Sequence, residues 1–233
     1  MSFIYEQRPS DSAFLDAVTR GRSVGEGFTI RPAEVHWHMV FTKYQGGLYP
    51  YVVGPLSAAG TVNFTEGAEI LWVRFKLGTF MPHLPAKNIL NTETLLPGAA
   101  AKNSFWLHGS AWQLPDFENV ETFVDRLARD GALVRDPLVE TALRERPHDI
   151  PPRTVRHRFL RATGVSQNLI RQFERARRAA TLLEQGIPIL ETVHEAGYYD
   201  QPHLTRELKR FVGHTPKQWV EEPAAEAVLA GAD

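Results

Sequence analysis

The chain has 233 residues, 43% of them hydrophobic, which is enough for two folded cores. Its balance of 26 Lys and Arg against 27 Asp and Glu excludes a uniformly basic nucleic-acid coat, and zero cysteines exclude disulfide frameworks and thiol chemistry. The start, Met1 to Arg8, lacks a cationic segment followed by an apolar core, and no apolar run approaches the roughly 20 residues of a membrane span; a cytoplasmic protein without a membrane partner is expected.

Short apolar or alternating segments recur through the first 130 residues, at 28–30, 35–44, 48–53, 61–64 and 69–77. Gly46-Gly47, Gly54-Pro55, Gly60, Gly67 and Gly78 punctuate them. Such spacing predicts an antiparallel β-barrel or jelly roll, followed by a helix near 120–129 whose Phe123 and Leu127 dock on it. On the strand predicted over 35–44, His36 and His38 share one face and Val35, Trp37, Met39 and Phe41 the other. Two histidines so placed resemble half of a metal site, but Met39 to Lys43 offers no glutamate and nothing in the spacing of His83 or His108 completes it. No metal and no cofactor are therefore expected. Trp37, Tyr51 and Phe75, with His36 and His38, are the candidate lining of a small-molecule pocket. Arg74 and Lys76 alternate with Val73 and Phe75 and are expected to be solvated.

The link at 129–137 holds one glycine and one proline and no flexible run, so the connection should be short. A short helix is predicted from Pro137 to Leu143, then a turn at 148–152. Arg153 to Arg161 follows as a helix with Val155 and Phe159 buried and Leu160 beside them. Gly164 should close it and Ser166 cap the next, whose stripe Ile170, Phe173, Ala176, Arg177, Ala180 and Leu183 runs about 17 residues, or roughly 26 Å. Between Arg153 and Arg178 stand eight arginines and one acid, Glu174, a basic stripe inside a neutral chain.

Next, Ile189, Val193 and Ala196 form one stripe, Gly197 permits a positive φ, Asp200 is placed to cap, and Pro202 sits in the first turn of a further helix. Leu204, Leu208 and Phe211 bury its inner face; Gln201, Pro202, His203, Arg206 and Lys209 should face outward. Gln can pair with adenine and Arg with guanine in a major groove, while Lys209 and Arg210 suit phosphates.

With these motifs in order, residues 137–219 resemble the DNA-binding domain of AraC/XylS-family transcription regulators. The resemblance is carried by Gly164-Val165-Ser166, the linker run Glu174 to Ala180, the stretch Ala196-Gly197-Tyr198-Tyr199-Asp200-Gln201-Pro202-His203-Leu204-Thr205-Arg206, and Phe211 to Pro216. It implies two helix-turn-helix motifs, with base-reading positions at Arg153, Arg156 and His157 in the first and Gln201, Pro202 and Arg206 in the second. Arg158 and Thr205 join Lys209 and Arg210 as backbone contacts. Pro202 departs from members with a polar side chain there, and the lead-in to the first motif is shorter than usual. Because the chain has no cysteine, the alkyl-transfer repair relatives that carry such a domain are excluded. The family's frequent cupin-like effector domain is implied for the N-terminal region.

The resulting expectation is an α+β two-domain protein: a β-rich sensor over 1–132, a double helix-turn-helix over 136–222 and a flexible tail over 223–233. It would bind double-stranded DNA and regulate transcription rather than catalyse. A small-molecule effector, RNA polymerase and a second copy in a homodimer are its further expected partners. A cupin-type metalloenzyme fused to a DNA-targeting module, and a constitutive DNA-binding protein whose barrel serves only protein contacts, stay open beside it.

Overall fold

In the computed structural model, which describes residues 2–144 and 150–221, the elements follow one another as strands first and helices last. The strands of the first half are β1 (Ser2–Pro9), β2 (Leu15–Val24), β3 (Gly27–Arg31), β4 (His38–Tyr44), β5 (Gly47–Val53), β6 (Gly60–Phe64), β7 (Glu69–Phe75) and β8 (Thr79–Phe80). Then come α1 (Ala86–Ile89), β9 (Glu93–Leu95), β10 (Ser104–Leu107), β11 (Ser110–Gln113), α2 (Val120–Arg129), β12 (Val134–Arg135) and α3 (Leu138–Leu143). The remaining helices are α4 (Pro152–Thr163), α5 (Gln167–Glu184), α6 (Ile189–Glu195), α7 (Gln201–Phe211) and α8 (Pro216–Glu221). The tail expected over 223–233 lies outside the described residues.

The described chain packs as two compact units. One comprises the described residues within 2–27, 36–55 and 64–166; the other comprises those within 28–35, 56–63 and 167–221.

The first unit is built on a six-stranded antiparallel sheet ordered β1-β2-β7-β4-β5-β9. β7 shows why these residues make a strand: Leu71, Val73 and Phe75 alternate with more exposed partners, so one face is apolar. That face is completed by Val18, Met39 and Phe41 from neighbouring strands and covered by α2, the β10–β11 hairpin and Phe117. Helix α2 supplies Val120, Phe123, Val124 and Leu127 on one stripe. Phe123 meets Phe41, Phe105 and Trp112 edge-on at 6.0–6.2 Å between centroids, so aromatic packing ties helix, sheet and hairpin together. The further ribbons β8–β12 and β10–β11 are two-stranded. The short α3 and the 12-residue α4 also belong to this unit, α4 packing on α3, α1 and β8.

The second unit centres on α5, an 18-residue helix about 27 Å long, with α6, α7 and α8 around it. Its core joins Ala180 and Leu183 of α5 to Val193 of α6, Leu204 and Leu208 of α7, and Trp219 of α8. The Trp219 indole N–H donates to the Ala180 carbonyl at 3.2 Å, which fastens α8 to α5. The β3–β6 ribbon packs here as well. Ala33 N–H donates to Phe211 O and Ala59 N–H to Arg210 O, both at 2.7 Å. Carbonyls left without partners at the end of α7 are thus satisfied by backbone from far earlier in the chain.

Candidate nucleic-acid interface

The second helix-turn-helix is set by local chemistry. α6 follows Pro188, and Gly197, at φ +74, turns the chain out of it. Asp200 is extended (φ −154, ψ 169) and its carboxylate accepts the His203 N–H at 2.7 Å, capping α7 while Pro202 occupies the first turn. Leu204 and Leu208 are fully buried and Phe211 nearly so; Phe211 meets Phe173 of α5 edge-on. The opposite side leaves Gln201, Pro202, Arg206, Lys209 and Arg210 exposed, with Thr205 half-buried at its margin. Neither Arg206 nor Lys209 forms an ion pair with another described residue, so both cations are free to meet an anion.

Two side chains of α7 depart from the expected pattern. His203, expected to face outward, is half-buried, with its ring edge-on to Tyr198 at 5.1 Å and its Nε2 3.6 Å from Glu207. Glu207 points inward, only 8% exposed, and is paired to Arg175 of α5 at 2.8 Å. That guanidinium also lies 4.8 Å from the centre of the Tyr198 ring. Burial, with the nearby Glu207 charge, pushes the Tyr198 hydroxyl above its usual range, so it stays neutral. The exposed face of α7 is therefore oriented by a charged clamp on its back as well as by leucines. Spacing alone did not reveal it, because Glu207 and Arg175 lie 32 residues apart.

In the first motif, α4 starts after Pro151 with Pro152 in its first turn, and Gly164 at φ +73 ends it. Arg153, Arg156 and His157 are exposed together, while Val155 and Phe159 are buried. Leu160 does not join the buried stripe: it is 37% exposed, one position round the helix from Phe159. Arg158 is already engaged, donating from two nitrogens to Asp136 at 2.9 and 2.6 Å. Arg161 lies over the Phe80 ring of β8. The lead-in is the six-residue α3; 145–149, which include the start of the expected turn at 148–152, lie outside the described residues.

The five candidate pocket residues do not converge. Trp37 and Phe75 stack at 3.9 Å between centroids, 4% and 0% exposed, with the Trp37 indole N–H donating to Thr79 O at 2.7 Å. They are core. His38 and Tyr51 lie on the other face of the sheet, opposite to Met39 and Phe41 by register. His36 is off the sheet altogether, because β4 begins at His38; Glu34 bridges Leu56 and the chain bends between them. The expected shared face of His36 and His38 is thereby lost. Arg74 and Lys76 are not simply solvated: Arg74 pairs with Asp16 at 2.6 Å and Lys76 donates to Ser12 O at 2.7 Å. His83 and His108 do meet, ring on ring at 4.2 Å, and burial with the His108 charge pushes His83 below its ordinary value. No third ligand joins them: among the described residues no group of three or more His, Asp or Glu could hold a metal ion. Nor, among these residues, is any helix long and apolar enough to cross a membrane.

Comparison with known proteins bears on this geometry directly. Residues 148–222 match the helix-turn-helix domain family, a span that includes α4 through α8. No curated protein matches the chain. Among solved structures, ToxT from Vibrio cholerae is similar over 99% of each chain at 9% identity, with a TM-score of 0.35. The matched span and the capped, outward-facing helices within it agree: residues 148–222 carry a helix-turn-helix domain.

Proposed function

We propose that the protein is a sequence-specific transcription regulator that reads DNA with α7 and α4 and responds to a small-molecule effector held by its N-terminal region. One observation carries the reading: Gln201 and Arg206 emerge on the exposed side of a helix whose opposite side is anchored by Leu204, Leu208 and Phe211. In a major groove, Gln201 pairs with adenine and Arg206 with guanine, while Pro202 meets a thymine methyl. Lys209, Arg210 and Thr205 serve the backbone.

From α4, Arg153, Arg156 and His157 are the matching contacts. Arg158, bound to Asp136, can touch a phosphate only by leaving or sharing that carboxylate. The DNA-binding region is taken as 136–222 and the cupin-like sensing region as 1–132, with RNA polymerase and a second copy as protein partners in the cytoplasm. Regulation rather than catalysis is the role assigned.

Selection of binding sites from a randomised duplex pool by the purified chain tests this. Enrichment of a motif whose bases respond to Gln201 and Arg206 variants supports it. Equal retention of all sequences, or a motif indifferent to both residues, overturns it.

A further inference from the structure

The contacts that seat α7 on α5 differ in kind. Leu204 and Leu208 pack with Ala179, Ala180 and Leu183, and Phe211 meets Phe173 edge-on at 6.3 Å between centroids. Beside them Glu207, 8% exposed, accepts at Oε2 from Arg175 Nη2 at 2.8 Å and from its Nε at 3.3 Å. Apolar contact is non-directional, so it fixes how close the helix lies and leaves its rotation about its own axis weakly determined. A hydrogen bond between charged groups is directional and fixes the angle as well.

The charged contact is gripped from more than one side. The Tyr198 ring lies 4.8 Å from the Arg175 guanidinium and edge-on to His203 at 5.1 Å, and His203 Nε2 stands 3.6 Å from Glu207 Oε1. The turn before α7, its first turn and its middle are thereby gathered round one guanidinium of α5. Successive helical residues point about 100° apart, so whatever fixes Glu207 also fixes Arg206 beside it. A roll of about 15° would carry an atom about 6 Å from the helix axis sideways by about 1.5 Å. That exceeds the spread of about 0.5 Å over which N–H···O distances are good, and a paired contact to one base needs two such bonds at once.

We propose that Arg175 is a specificity-determining residue of the second helix-turn-helix: without touching DNA, it holds Glu207 and so sets the roll of α7 that aims Gln201 and Arg206 at their bases. This rests on the reading of α7 as the helix that enters the major groove. Arg175 is a positioning residue, and its loss costs discrimination between sequences rather than attraction to phosphates. Its pairing also withdraws one arginine from the basic stripe at 153–178, because Glu207 matches its charge.

Fluorescence anisotropy of the full chain on two duplexes, the site selected from the randomised pool and a scrambled duplex of the same composition, tests the role. Arg175→Gln and Glu207→Gln should each lower the ratio of the two affinities about tenfold, the worth of one paired base contact, and leave binding to the scrambled duplex largely unchanged. The salt dependence on the scrambled duplex should keep its slope, because no phosphate contact is lost. Arg175→Lys, which keeps the charge, should restore most of the ratio. An unchanged ratio in the glutamine variants, or equal losses on the two duplexes, overturns the proposal. A slope shallower by about one phosphate in Arg175→Gln overturns it too, by putting Arg175 on the DNA itself. Circular dichroism reports folding, and if Arg175→Gln does not fold, the near-isosteric Glu207→Gln decides. A wild-type chain that holds both duplexes equally overturns the regulator reading, whereas a wild-type preference untouched by these variants overturns the role of Arg175 alone.

Discussion

At the scale of single residues, Arg206 and Asp200 have separable jobs on the same helix. Arg206 is exposed and has no ion-pair partner among the described residues, so Arg206→Ala is expected to weaken operator binding by about 1–3 kcal/mol and to relax one base position. A loss that is uniform over a panel of operator variants would contradict base reading. Asp200 holds the His203 N–H, and Asp200→Ala should cost about 1 kcal/mol of folding stability in urea titration, as N-cap losses do. Lys209→Ala should leave sequence preference alone and shallow the salt dependence by about one phosphate. An unchanged slope in anisotropy at increasing salt removes Lys209 from the interface.

At the scale of elements, the two helix-ending glycines are alike in conformation and unlike in surroundings. Gly164 and Gly197 have φ +73 and +74, a region that costs a side chain about 1–2 kcal/mol. A Cβ on Gly197 meets open space, whereas one on Gly164 would lie 2.8 Å from the Ala86 carbonyl of α1. Gly197→Ala should therefore lower stability by about 1 kcal/mol and Gly164→Ala by clearly more, about 2–3 kcal/mol, read as denaturation midpoints. Equal midpoints would mean that α1 yields freely. The contrast matters for function because α4, which carries Arg153 and Arg156, is seated on α1 at that glycine. α7 depends instead on the segments flanking the β3–β6 ribbon, where the Ala33 and Ala59 amides satisfy its last carbonyls.

At the scale of the molecule, one ion pair joins the first strand to the helix that closes the core of its unit. Arg8 of β1 donates to Glu121 of α2 and to the Phe117 carbonyl, and Ser10 adds a hydrogen bond to the same carboxylate. The Arg8 hydrogen bond holds Glu121 down at about 2 against an ordinary value of 4.5. A carboxylate depressed on folding stabilises fully above its unfolded value and loses that contribution as pH falls through its folded one. The window is therefore pH 4.5 to 2. With both side chains about 30% exposed, screening leaves the pair about 1 kcal/mol. Glu121→Gln should flatten stability across that window and leave it little changed between neutral samples of different salt. Acid titrations of the two proteins followed by circular dichroism check this, and superimposed curves would deny the pair its role.

What the sequence determined by itself was whatever local chemistry dictates. Gly197, Asp200 and Pro202 mark the turn and cap of α7 within six residues, and the Val120–Arg129 helix and the strands β3, β5 and β6 follow from turn glycines and apolar alternation. β1 and β2 were invisible because polar and charged residues, such as Glu6 opposite Arg20, interrupt their apolar alternation, and such strands are held by partners rather than by pattern. Tertiary structure alone decided the rest. It placed Trp37 on Phe75 as core, took His36 off the sheet, bound Arg158 to Asp136 and turned Glu207 inward to Arg175. Each of these depends on residues brought together from distant parts of the chain, and a periodicity can name a face without naming what will cover it.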